Sequence, residues 1–420
     1  MLKNFILYAS IIFLLFNCGK ETKKKVITYA GYCTPEELPI MQNAFKEFEE
    51  NNPDIKVNFV WVSIWNEYWA KILTMIAGGE TPDVMYMGGE FLPPMAKKGV
   101  LEPLDSYLEN DKEIKKSDFF PQALESYTYK GKLYGIPRDV APVLMYYNKD
   151  IFDRFGLKYP DETWDWKKLV EVSKKLTKDL NNDGIIDQFG FDVYGAGELY
   201  QCFRFIQQNG GSIFSDDRKK SNLNKKEAIE ALQFLADLIF KYHIAPKPHE
   251  RSGIDLFVSG RIAMHEDGYW MVSHYRKEIK NFKWDVAPII KNKKRVGTLF
   301  GTSYVMAATS KNKEAAWKLI KFIAGPKIQE FNLRKELAIP ALKTVALRKD
   351  ILELPYVKKF VDAIEYSVPP PFIEEWHEFA HIFSLEGDKI FSPENPQKAQ
   401  EICPIMANKI NKIMQNEKTK

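Results

Sequence analysis

His377-Glu378-Phe379-Ala380-His381 spells HExxH. On a helix, two histidines four apart share one face and can ligate zinc, with the glutamate as the general base of a peptidase. Catalytic zinc takes a third protein ligand. No Gly-x-x-His follows, and Glu386, Glu394 and Glu401 are only generic acids. The stretch Asp179-Leu180-Asn181-Asn182-Asp183-Gly184-Ile185-Ile186-Asp187 carries oxygen side chains where a calcium loop has positions 1, 3, 5 and 9, and glycine at 6. Position 12 is Gly190 rather than the bidentate glutamate. A weak calcium site on Asp179, Asn181, Asp183 and Asp187 therefore competes with an Asx-rich turn. No Gly-x-Ser-x-Gly, phosphate loop or dinucleotide fingerprint is present. Acids are plentiful, but their sequence spacing does not give the carboxyl separation a glycosidase needs.

The elements that must position such groups are those of a globular chain. Of 420 residues, 45% are hydrophobic and 28% charged, and the length suits two or three domains. Sixty basic and 56 acidic residues leave a net charge of +4 and no electrostatic case for nucleic acid. Four cysteines exclude a disulfide-built scaffold. Lys3 followed by the apolar run 5–16 reads as an export signal, since a spanning helix needs about 20 residues. The run ends in Leu14-Leu15-Phe16-Asn17-Cys18, which resembles a bacterial lipoprotein signal, although Phe16 and Asn17 depart from the usual small residues. On that reading residues 1–17 are removed, Cys18 is lipidated and 18–25 form a tether. Cys33, Cys202 and Cys403 are then expected as free or buried thiols.

Periodicity predicts strands at 26–30, 55–61 and 82–87 separated by helices at 35–50 and 65–77, hence a parallel sheet with crossover helices. The pattern restarts at 135–137 and 143–147. Helices are expected near 166–177, 199–209, 225–241, 253–259 and 313–324, with strands near 263–265, 284–287 and 302–308.

These segments, in this order, resemble the sugar-binding family of bacterial ABC-importer solute-binding proteins, which includes maltose-binding protein. The resemblance covers essentially the whole mature chain. Its carriers are Ala77-Gly78-Gly79-Glu80-Thr81-Pro82-Asp83-Val84, Gly99-Val100-Leu101-Glu102-Pro103-Leu104, Gly135-Ile136-Pro137 and Tyr147-Asn148-Lys149-Asp150. Further on come Gly260-Arg261-Ile262-Ala263-Met264, Gly268-Tyr269-Trp270 and Ala315-Ala316-Trp317. The resemblance implies an α/β fold of two lobes (type II), each a mainly parallel sheet flanked by helices, joined by a hinge with several crossings. Residues 26–138 plus 298–340 would form the N-terminal lobe, and 139–297 plus 341–420 the C-terminal lobe. Ligand would be held between them without catalysis, and closure would present the receptor to the permease.

A sugar site needs aromatic planes for ring faces and forked hydrogen-bonding groups for hydroxyls. Tyr29, Gly31 and Tyr32 close the first strand, beyond whose carboxyl end ligands sit in parallel sheets. Glu90 follows the third strand, Asp139 marks the first crossing, and Gly301, Thr302 and Ser303 begin the return. Asp267, Gly268 and Trp270, Glu198 and Tyr200, and Trp376 complete the candidates; the resemblance makes Trp270 and Trp376 stacking positions. Ferric-binding members of the superfamily use adjacent tyrosines, but Tyr146-Tyr147 here runs into the sugar-family strand-to-helix signature. The implied partners are a small-molecule sugar, or another polar solute, and the permease's transmembrane subunits. The protein is expected as an exported, lipid-anchored monomer at the outer face of the cytoplasmic membrane or in the periplasm.

Overall fold

The computed structural model describes residues 24–35, 37–194, 199–251 and 255–416. Cys18 and Glu198 therefore lie outside the described residues. In Ile55–Val62 (β2) apolar and polar residues alternate and burial alternates with them at the start, with Ile55 and Val57 inside. It pairs in parallel with β1 (Lys25–Tyr32), which pairs in parallel with β3 (Val84–Gly88). Helices Leu38–Asn51 and Trp65–Ala77 make the crossovers. A short hairpin, β4 (Thr128–Tyr129) and β5 (Lys132–Leu133), precedes β6 (Gly135–Pro137) and the long β7 (Asp139–Asn148). Later strands are β8 (Met264–Gly268), β9 (Trp284–Ala287), β10 (Gly297–Phe300), β11 (Thr302–Met306), β12 (Ile339–Pro340) and β13 (Ser367–Val368).

The first sheet has the order β2-β1-β3-β11-β6 and is parallel except for β11. The second is built on β7 and departs from the expected parallel order. Strands β8, β9, β10 and β12 all pair with β7 antiparallel, and only β10 and β13 pair in parallel. β7 arrives straight from β6 through Arg138, without the crossover helix that parallel neighbours require. Its near-continuous apolar run, Val143-Leu144-Met145-Tyr146-Tyr147, is buried on both faces.

The chain changes sheets at Arg138, at Gly301 between β10 and β11, and again before β12. A side chain at Gly301 would meet the Asp139 carbonyl at 2.6 Å, so two crossings touch here and only glycine fits. The helix expected at 253–259 is absent over its described residues, which form turns. The Asp255 carboxylate accepts the Phe257 and Val258 N–H groups, and Gly260 closes the turn at φ +76°. Cys33, Cys202 and Cys403 are buried. No helix among the described residues is long and apolar enough to cross a membrane.

Candidate functional site

Polar groups gather where β3 and β6 end, β11 begins and the chain crosses between sheets. Thr302 pairs with Gly88 across β11 and β3, and its N–H and hydroxyl donate to the Asp139 carboxylate at 2.7 and 2.9 Å. Arg138 donates to Asp139 from one side and to Glu37 at 2.7 Å from the other. All three side chains are nearly buried. Burial raises the Asp139 carboxyl, and the Arg138 guanidinium works against that rise. Glu90 sits in a short 3₁₀ turn after β3, its carboxyl folded back over Gly88, where a Cβ would lie 2.5 Å from it. Burial with no offsetting cation raises its carboxyl to about 7. Ser303 is buried between Gly135 and the Met87 carbonyl, to which it donates at 3.4 Å. The neighbouring Tyr127 hydroxyl is buried without a partner.

The second lobe presents a run of rings. Trp270 is 43% exposed and meets Phe300 edge-on at 5.7 Å. Phe300 meets Tyr200 at 4.7 Å, Tyr200 lies parallel to Trp376 at 6.2 Å, and Trp376 meets Phe372 at 4.6 Å. The Asp267-Gly268-Tyr269-Trp270 sequence has a steric basis. A Cβ at Gly268 would lie 2.1 Å from the Trp270 indole, which folds back over it, while Asp267 accepts the Gly268 N–H. Trp376, 3% exposed, belongs to the layer beneath, packed on Phe203 and Phe379. Below Tyr200, Arg204 forms a fully buried pair with Glu266 and donates to Thr298.

The structure thus brings Glu90, Asp139, Gly301 and Ser303 together, and aligns Trp270, Tyr200 and Trp376 on the other lobe. Tyr29 is set apart. It is buried in the first lobe, stacked on Phe59 at 5.4 Å, and Gly31 leaves room for its ring. Tyr32 is half-buried against Trp65 and Tyr86. Sequence reasoning missed Phe300 and Phe372. Their signals were thin: one precedes Gly301 and the other follows Pro369-Pro370-Pro371.

A family model described as bacterial extracellular solute-binding protein matches residues 34–330. The chain belongs to that family. It is 28% identical to the maltotriose-binding protein of Pyrococcus abyssi over 80% of this chain and 71% of that one. It is 25% identical to the galactooligosaccharide-binding protein of Bacillus subtilis, over 89% and 88%. An ABC substrate-binding protein of Listeria monocytogenes, solved in complex with cycloalternan, superposes with a TM-score of 0.82 at 31% identity, covering 93% of this chain and 99% of the other.

In this solute-binding protein the two alternative constellations are otherwise employed. His377, Glu378 and His381 are exposed on helix Trp376–Gly387, and the His377 ring packs on Phe91 at 4.7 Å. Desolvation against Phe91 lowers the His377 imidazole. Glu386 is held by Lys389 and Lys409, and among the described residues no three His, Cys, Asp or Glu side chains converge to hold a metal. In the 179–187 loop Asp179 accepts the Gly184 N–H, Asn181 the Asp183 N–H, Asp183 the Ile185 N–H and Asp187 the Leu180 N–H. A side chain at Gly190 would strike the Ser173 backbone at 2.4 Å, so the position of the missing glutamate is closed. The Tyr146 hydroxyl donates to the Gly268 carbonyl at 2.7 Å, and both Tyr146 and Tyr147 are buried.

Proposed function

We propose that the protein is the receptor of an ABC importer and captures an oligosaccharide between its lobes. The ring wall of Trp270, Phe300 and Tyr200, together with the carboxylates of Glu90 and Asp139 beside the chain crossings, carries this reading. Sugars offer apolar faces to the first and hydroxyls to the second. The oligosaccharide names of the relatives support it. Residues 26–138 plus 298–340 and residues 139–297 plus 341–420 are taken as the two lobes, except that 298–300 and 339–340, whose strands pair with β7, are counted with the second. The chain works without catalysis, as a monomer. Cys18 carries the lipid that anchors it beside the transmembrane subunits, at the outer face of the cytoplasmic membrane or in the periplasm. Two or more acyl chains are needed there, since one binds only marginally.

Thermal denaturation against a saccharide panel tests this. A ligand of the folded state stabilises by about 2.7 kcal/mol at a hundredfold excess over its dissociation constant. An upward shift with maltotriose-, galactooligosaccharide- or cycloalternan-like sugars is expected. No shift with any saccharide contradicts the reading.

A further inference from the structure

We propose that Glu374 is a positioning residue, a clasp that holds the two lobes together and favours their closed arrangement. The inference rests on the two-lobed reading above and goes beyond it, because Glu374 lies outside the ring wall and the polar cluster. Segment 369–375 rides on the second lobe. Phe372 and Ile373 pack into the same core as Trp376, Phe203 and Phe379, and Arg218 donates to the Phe372 carbonyl at 3.1 Å. The Glu374 carboxylate, however, takes its named partners from the first lobe. Lys97 lies at 3.0 Å, Lys130 at 2.9 Å, and the Tyr129 hydroxyl donates a short hydrogen bond.

Those donors are held by their own lobe. Tyr129 and Lys130 form the tip of the β4–β5 hairpin, whose turn is set by Lys130 and Gly131 at φ +46° and +77°. The hairpin is tied back through Leu133, whose N–H donates to Asp105 and whose carbonyl accepts from Leu104. Burial works against ionisation of Glu374, but the bonds from Tyr129, Lys130 and Lys97 bring its carboxyl down to about 2. Apolar contacts run alongside. A Cβ on Gly89 would lie 2.6 Å from the Phe372 ring, so glycine is what lets the second lobe seat there.

Any hinge opening draws Glu374 away from all three donors at once. An isolated exposed pair contributes little. Here one carboxylate has three partners fixed on the opposing body, bordering an open pocket of about 560 Å³. By favouring the closed arrangement, the clasp reduces the population term that ligand binding must overcome.

Small-angle X-ray scattering of the ligand-free mature protein tests the clasp without any sugar, so it stands or falls separately from the saccharide panel. Glu374→Gln is expected to raise the radius of gyration with circular dichroism unchanged, and 1 M NaCl to move the wild type the same way. Glu374→Asp keeps most of the compact form. Glu374→Lys opens the protein, and combining it with Lys97→Glu and Lys130→Glu closes it again. An unchanged radius in both Glu374→Gln and Glu374→Lys overturns the proposal. So does an expansion that the charge-reversed triple variant fails to reverse.

Discussion

Replacing Glu90 by Gln removes a carboxyl that burial has already pushed toward neutrality. Its rise from 4.5 to about 7 corresponds to about 3 kcal/mol of unfavourable free energy once both folded and unfolded forms are ionised. Glu90 is only half-buried, and water reaching it reduces this to about 2 kcal/mol. The sign follows from proton counting. Between pH 4.5 and 7 the folded state binds the proton more tightly than the unfolded chain, so stability falls as pH rises through that window. Gln has no proton to lose. Urea unfolding followed by tryptophan fluorescence at pH 4.5 and pH 8 measures the difference. The variant should match the wild type at the lower pH and exceed it by about 2 kcal/mol at the higher, with an unchanged m-value. Parallel pH profiles, or a variant less stable at pH 8, would refute the desolvation argument. A ligand hydroxyl donating to Glu90 favours the ionised form, so sugar binding should weaken as pH falls below 7.

Trp270→Ala should weaken oligosaccharide binding about tenfold, a loss of about 1.4 kcal/mol, measured by calorimetric titration, while a thermal melt shows stability nearly unchanged because the ring is 43% exposed. Gly268→Ala, by displacing the same indole, should give a similar loss that does not add to Trp270→Ala in the double variant. Glu266→Ala strands the buried Arg204 guanidinium, and chemical denaturation should show a cost of about 3–5 kcal/mol. Asp179→Ala removes an acceptor of the Gly184 N–H and should lower the melting temperature slightly, by the same amount with and without a calcium chelator.

Much of the first lobe is legible locally. Ile55, Val57 and Phe59 show a period of two, and Leu38, Met41, Phe45 and Phe48 a helical one, so strand and helix follow from short windows. Glycine carried further information, since Gly268 and Gly301 mark places where an indole and a crossing carbonyl press on the backbone. Pairing direction was not legible. Val143 to Tyr147 reads as a buried strand, but nothing in its composition says that four neighbours run against it. Side-chain facing misled at Tyr29: the end of a strand points to the cleft, yet alternation turns this ring into the lobe. After Asp255 the chain makes a single turn, capped by that carboxylate and ended by Gly260 at φ +76°, so the helix expected at 253–259 does not form over its described residues. The contacts of Glu374 with Tyr129, and of Arg138 with Glu37, join residues 245 and 101 positions apart, and no window of sequence contains them.

Hydrogen–deuterium exchange with and without a bound oligosaccharide reaches the central claim most directly. Capture between the lobes predicts slowed exchange on both sides together, at residues 88–91 and 301–303 of one and 199–204 and 268–271 of the other. Protection confined to a single lobe, or centred on residues 377–381, would contradict it.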